Sequence, residues 1–415
     1  SNTERTNERT NSHPHPHPHI LSVPYLPTYV TNYRPYRLAS HRLAWEEPTQ
    51  PTVEHKNHQR KNPKAHRLRT NSKNSRCSGA TINMTTPSPT SRDKTLTYIG
   101  DEWMDKERKW SASVKGADGC IYGIPFDANR VVRFDPATKS LTSIGIDLGD
   151  EPFKWACGVL ADNGCVYSTP SNNGVKILKI NTNAGATSDT AVSTMDIPYG
   201  LTDGAYSTWV SGDKAADGKL YFMPNVSTHI LRIDPNDNDS MAYVGNEMEG
   251  GTFKYGGTVA TPDGCVYGIP SQSKRIIKFD PSNDVTMTVG KDADKDFLCS
   301  DGILAGDGNI YAMTYNLGGI LKIDVSNDTY SIIKIDLVAE NAYGWGHPIR
   351  GHDDLLYFPP SNDTRVMVFH TRIQEASLAG PKYSTDRGKW HSGALASNNK
   401  IYSIPDNANH ILEID

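Results

Sequence analysis

The 415-residue chain has no run approaching the ~20 consecutive apolar residues that a membrane-crossing helix requires, which excludes a protein that spans a bilayer as helices. Cysteine is scarce, and six in 415 residues cannot staple a disulfide-dense mini-domain. The motifs GxSxG, HExxH, Walker A and GxGxxG are all absent, so none of the familiar hydrolase, metalloprotease or nucleotide-binding sites can be placed. From residue 94 onward no helical apolar period lasts ten residues, which leaves strands as the building material.

Charge is unevenly spread. Residues 1–93 hold 14 Lys and Arg against 6 Asp and Glu, a net of +8, which leaves −12 for residues 94–415 within the total of −4. The same ninety residues hold eight of the fourteen histidines, including the alternation His13-Pro14-His15-Pro16-His17-Pro18-His19. They are rich in Asn, Thr, Pro, His and Arg and show no apolar period. Such a composition does not bury enough surface to offset the entropy of ordering, so residues 1–93 read as a disordered basic tail. Its cluster Arg60, Lys61, Lys64, Arg67, Arg69, Lys73 and Arg76 lacks interleaved aromatics, which argues against nucleic-acid binding. The first methionine is Met84, so a native protein without residues 1–83 is an alternative. No signal-peptide apolar region precedes either start, and the expectation is a cytoplasmic protein. The sequons at Asn225, Asn327 and Asn362 keep secretion as the alternative.

The remainder is a repeat. Seven tyrosines, Tyr122, Tyr167, Tyr221, Tyr267, Tyr311, Tyr357 and Tyr402, are spaced by 45, 54, 46, 44, 46 and 45 residues, the period of a four-stranded propeller blade. Four residues before each stands Asp118, Asn163, Asp217, Asp263, Asp307, Asp353 or Asn398. Glycine follows in the first five units, with Asp354 and Asn399 in the last two. Asp-Gly between apolar runs predicts a hairpin of type I′, with positive φ at both central residues. Three residues after the tyrosine comes a strand-ending proline, with Thr314 the exception. A β-branched pair, an Asp-Pro turn and a short final strand complete each unit. The seventh unit stops at Asp415 before its final strand, while Thr95–Gly100 carries that strand's pattern ahead of unit one. The expectation is an all-β, seven-bladed β-propeller over residues 94–415, closed by the N-terminal strand filling the last blade. The repeat resembles the kelch, NHL and WD-like group, and especially uncharacterised Asp-Gly-x-x-Tyr-x-Ile-Pro repeat propellers of microalgae and protists. The resemblance implies architecture and brings no catalytic residues.

Cys120, Cys165 and Cys265 share one column in different blades, too far apart for a disulfide, and Cys77, Cys157 and Cys299 form no CxxC. All six are expected to be free thiols, with no metal and no cofactor. Two columns fall on the longer, more variable loops, where function concentrates. Twelve residues before the tyrosine stand Trp110, Trp155, Trp209, Tyr255, Cys299, Trp345 and Trp390, preceded by Lys109, Lys154, Lys254 and Lys389. At the start of each third strand stand Arg130, Lys176 (if unit two carries a one-residue insertion), His229, Arg275, Gly319, Arg365 and His410. Packing between blades accounts for a repeated tryptophan. A ring of cations beside exposed indoles would instead suit a peptide, an anionic glycan or a phosphorylated ligand. The leading expectation is therefore a monomeric, non-catalytic binding propeller using Lys109, Trp110, Lys154, Trp155, Lys254, Tyr255, Lys389, Trp390, Arg130, His229, Arg275, Arg365 and His410. The alternative is a lyase or hydrolase with His347, His391 and Asp301 at the channel mouth of blades five to seven, where the repeat is most broken. Gly158, Gly212, Gly302 and Gly393 are expected to let the inner strands approach the axis.

Overall fold

The computed structural model describes residues 96–99, 108–171, 176–185, 189–198, 201, 208–251, 253–338 and 343–415. The tail of residues 1–93, its basic cluster and Cys77 lie outside them. No helix among the described residues is long and apolar enough to cross a membrane.

Seven four-stranded antiparallel sheets follow one another along the chain. Blade one is Trp110–Lys115, Ile121–Pro125, Val131–Asp135 and Ser140–Ile144. Blade five is Cys299–Leu304, Ile310–Thr314, Gly319–Asp324 and Thr329–Lys334. The first strand of every blade touches the first strands of both neighbours all the way round, so the ring is closed. Each second strand is packed on both faces and is buried at every residue where it reads as an unbroken apolar run, as in Ile121–Pro125 and Val266–Pro270. The fourth strand is the outer edge, and Ser140–Ile144 and Val285–Val289 are mostly exposed.

Seven core clusters among the described residues are each made by two adjacent blades, and a small eighth, Phe126, Ala156 and Val210, joins blades one to three. Tyr122 and Ile124 of blade one meet Trp155 and Val166 of blade two, and Phe134 of blade one meets Tyr402 and Ile411 of blade seven. This follows from the sequence: a lone blade has two apolar faces, and only stacking buries them. The glycines of the first strands serve the same packing. A Cβ on Gly158 would stand 2.8 Å from Val114 and 3.0 Å from Ile124 of blade one. One on Gly302 would stand 2.9 Å from Ile269 of blade four. These glycines admit the neighbouring blade.

Blade seven is completed as expected. Leu96–Ile99 pairs with Ile411–Ile414 in the register Leu96↔Ile414 through Ile99↔Ile411. An ion cluster crosses the seam between blades one and seven. The buried Glu413 carboxylate takes Lys139 Nζ of blade one at 3.1 Å and Lys400 Nζ at 3.0 Å.

The hairpin turns differ from type I′. In blade one the Gly116 N–H donates to Cys120 O at 2.8 Å and the Gly119 N–H to Gly116 O at 3.1 Å. The positive φ is confined to Gly119, at 82°, so this is a three-residue loop whose last position alone is left-handed. The same pair of bonds recurs in the other six blades, with Asp354 (φ 60°) and Asn399 (φ 65°) taking glycine's place. The repeated Asp–Tyr spacing has its cause here. Asp118 accepts the Cys120 N–H at 3.1 Å and the Tyr122 hydroxyl at 3.0 Å, tying the turn to the strand. Burial and that carboxylate together push the Tyr122 phenol well above its ordinary range.

Candidate functional site

The tryptophan column packs between blades, and the expectation of exposed indoles is corrected. Trp110, Trp155, Trp209, Trp345 and Trp390 are all buried, as is Tyr255. Each indole Nε1 donates to the backbone carbonyl of the residue in the second column: Trp110 to Arg130 (3.1 Å), Trp155 to Lys176 (2.8 Å), Trp209 to His229 (3.0 Å), Trp345 to Arg365 (2.8 Å) and Trp390 to His410 (2.9 Å). The partner of Trp155 lies 21 residues on rather than 20, which bears out the one-residue insertion in blade two.

The lysine column is also turned inward. Lys109, Lys154 and Lys389 are buried. The ammonium of Lys154 donates to Glu151 O (2.8 Å), that of Lys254 to Val226 O (3.1 Å) and Gly251 O (3.2 Å), and that of Lys389 to Ser361 O (3.1 Å) and Asp386 O (2.6 Å). Burial holds the Lys389 ammonium below its ordinary range. Second-column cations turn to the outer strands: Arg130 donates to Gly145 O (2.6 Å), Lys176 pairs with Asp196 (2.8 Å) and Arg275 with Asp292 (3.0 Å). His229 stacks on Tyr243 with centroids 4.7 Å apart. Arg365 and His410 contribute the carbonyls already described. Lys154, Lys254 and Lys389 thus bind backbone carbonyls at the blade junctions, while the Lys176 and Arg275 side chains stay about half exposed in their ion pairs.

Of the alternative residues, His347 and His391 lie together, whereas Asp301 is held by groups of blades three to five. Asp301 of blade five reaches past blade four and stands 3.2–3.3 Å from the Ser211 hydroxyl of blade three. Blade four has glycine in the way: a Cβ on Gly257 would lie 2.5 Å from Asp301 Oδ1. That oxygen accepts the N–H groups of Thr258 (3.2 Å) and Gly302 (2.9 Å). Burial, with Asp213 nearby, pushes the Asp301 carboxyl up to about 7 against these hydrogen bonds. A carboxyl whose folded pKa lies above its unfolded value stabilises the fold at low pH, and that contribution is lost as pH rises toward 7. Asp301→Asn is therefore expected to match wild type near pH 4, exceed its denaturant midpoint at pH 8, and flatten the intervening pH dependence. A wild-type slope unchanged in the variant would place the titration elsewhere.

His347 of blade six and His391 of blade seven are joined through the backbone, the His347 N–H donating to His391 O at 2.6 Å. Burial pushes the His347 imidazole down to about 3, with His391 adding to the effect. His391 Nε2 lies 3.2 Å from Asp406 Oδ2 and 3.5 Å from the Ser361 hydroxyl. Burial pushes this imidazole down to about 4. Both partners face the same ring nitrogen, so the serine is not aligned for the two-nitrogen relay of a Ser–His–Asp triad.

Sequence reasoning missed Asp406, Ser361 and Ser211. Asp406 and Ser361 belong to the column just after the repeat's proline, whose members Phe126, Ser171, Asn225, Ser271, Tyr315, Ser361 and Asp406 vary more than any framework column. That variation was the available signal. The five described cysteines, Cys120, Cys157, Cys165, Cys265 and Cys299, are buried free thiols. No group of three or more His, Cys, Asp and Glu among the described residues is arranged to hold a metal ion.

Residues 111–264 match a family described as a repeat of unknown function, DUF6923. No curated protein sequence matches the chain. Among solved structures the chain is similar to virginiamycin B lyase from Staphylococcus aureus (TM-score 0.61, 13% identity, 77% of this chain and 99% of that one). It is also similar to YCF48 bound to D1 peptide (0.56, 9%, 79% and 96%) and to Kuenenia stuttgartiensis hydrazine synthase (0.56, 12%, 77% and 99%). At such identities the likeness speaks to the propeller fold.

Proposed function

We propose that the protein is a non-catalytic binding propeller that takes a peptide at the loop-rich mouth of its channel, over blades six and seven. The observation that carries this reading is the cluster of His347, His391, Ser361 and Asp406, hydrogen-bonding groups gathered at one mouth without a nucleophile–base relay. An anionic glycan or phosphorylated ligand is less well served, because Lys154, Lys254 and Lys389 donate to backbone carbonyls and Lys176 and Arg275 are paired with carboxylates. YCF48, a similar fold, is bound to a peptide. The repeat supports kinship with kelch, NHL and WD-like propellers. Short peptides selected from a random displayed library should bind the protein. His391→Ala should weaken them about tenfold, the worth of one hydrogen bond of ~1.4 kcal/mol. An empty selection would refute the reading, and binding to His347→Ala and His391→Ala as tight as to wild type would refute the placement.

One observation favours a lyase-type enzyme as the second reading: Asp406 holds the His391 imidazole in a fixed orientation, as a general base requires. A substrate screen giving turnover by the wild type and none by His391→Ala would select it.

A further inference from the structure

The residues that immediately precede Lys109, Lys154, Lys254 and Lys389 all have left-handed backbone: Arg108 (φ 53°), Phe153 (φ 60°), Phe253 (φ 58°) and Gly388 (φ 64°). The conformation belongs to the junction between blades. The Phe153 N–H donates to Asp127 Oδ1 of blade one at 2.8 Å, and the Gly388 N–H to Asn362 Oδ1 of blade six at 2.9 Å. Glycine adopts this conformation freely, whereas a bulky aromatic residue is strained in it. Blade seven shows that glycine satisfies the junction, so the backbone alone does not call for Phe153. Strain held at such a position points to a use for the side chain.

The ring of Phe153 is only half-buried. It stands edge-on to Phe126 with centroids 5.2 Å apart, above Ala156 and Val210. Ala156 and Val210 each follow an inner-strand tryptophan, the position that His391 occupies in blade seven. The Arg108 guanidinium lies 4.4 Å over the ring and is itself held by Asp127 at 2.7 Å. The mouth is therefore two-sided. Blades six and seven supply imidazoles and a carboxylate, and blades one to three supply an apolar wall whose exposed part is Phe153.

We propose that Phe153 is the apolar anchor of this mouth and receives an aliphatic or aromatic side chain of the bound peptide. The proposal rests on the peptide-binding reading and adds a specificity to it. A rigid aromatic ring backed by buried neighbours and flanked by an internally neutralised cation is the form that binding hot spots take. A ligand held by the imidazoles alone would need no apolar residue.

The test uses synthetic copies of displayed peptides selected on the full chain, with binding and denaturant midpoint measured on each variant. The selected peptides should share an apolar residue. Phe153→Gly should weaken them tenfold or more while its midpoint moves little, because relief of the left-handed strain offsets the lost ring contact. Phe153→Leu should keep the fold and part of the affinity. The anchor role is overturned if both variants bind like wild type while His391→Ala still weakens binding. It is equally overturned if Phe153→Gly loses cooperative unfolding and Phe153→Leu binds normally, which would make the ring structural only. Selected peptides indifferent to both Phe153 and His391 variants would overturn the underlying reading instead.

Discussion

Trp209→Ala is expected to lower the stability of the propeller by about 3–5 kcal/mol, the range for deleting a fully buried large aromatic side chain. The indole is wholly inaccessible to solvent and lies in the cluster shared by blades two and three, against Cys157, Tyr167 and Leu231. Its removal also strips the His229 carbonyl of its donor at 3.0 Å. The two losses separate with Trp209→Phe, which keeps most of the ring volume and abolishes the N–H. That variant should cost about 1–3 kcal/mol, the penalty for one buried polar group left unsatisfied. Urea unfolding of the three proteins provides the check. Equal stabilities for Trp209→Phe and wild type would mean that the repeated indole–carbonyl bond contributes nothing, and that the column is retained for volume alone.

Removing residues through Ile99 should have an effect of comparable size. The third strand of blade seven, Ile411–Ile414, is buried at all four positions, with Leu96–Ile99 along one edge. Without that partner its peptide groups lose their bonds and an apolar strand becomes an open edge. The truncated chain should unfold at a markedly lower denaturant concentration and associate as its concentration rises, because an unpaired apolar edge recruits further strands. Light scattering over a dilution series reads the second effect. A truncated chain that stays monomeric with an unshifted midpoint would show the closing pair to be dispensable.

The architecture was legible because it is written seven times. A single Asp-Gly or a single tyrosine says little, but their recurrence with a fixed offset from proline defines strands, turns and closure together. The turn type was misread because the dipeptide signals a left-handed second residue and is silent on the first, and Asp118 stays outside that region while Gly119 enters it. The Trp and Lys columns were visible and their role was not. Repetition alone does not say which way a side chain turns, and the inward turn depends on carbonyls such as those of Ser361 and Glu151, which a sequence does not display. His347 and Asp301 were singled out because they break columns, and His391 because it stands near the start of its blade's first strand. Their partners are set by tertiary packing: Ser211 lies two blades before Asp301, and Asp406 meets His391 across the inner hairpin of blade seven.

That closure has a mechanical consequence. Leu96 lies opposite Ile414, and Ile99 opposite Ile411, so the two ends of the paired segment emerge side by side. Tension applied between positions 96 and 414 would pull across the ladder at one end and peel its rungs singly, instead of loading all of them in shear. A ring held by seven cores shared between neighbouring blades would then yield to a small force along this one direction, opening blade seven while the other six keep their strands.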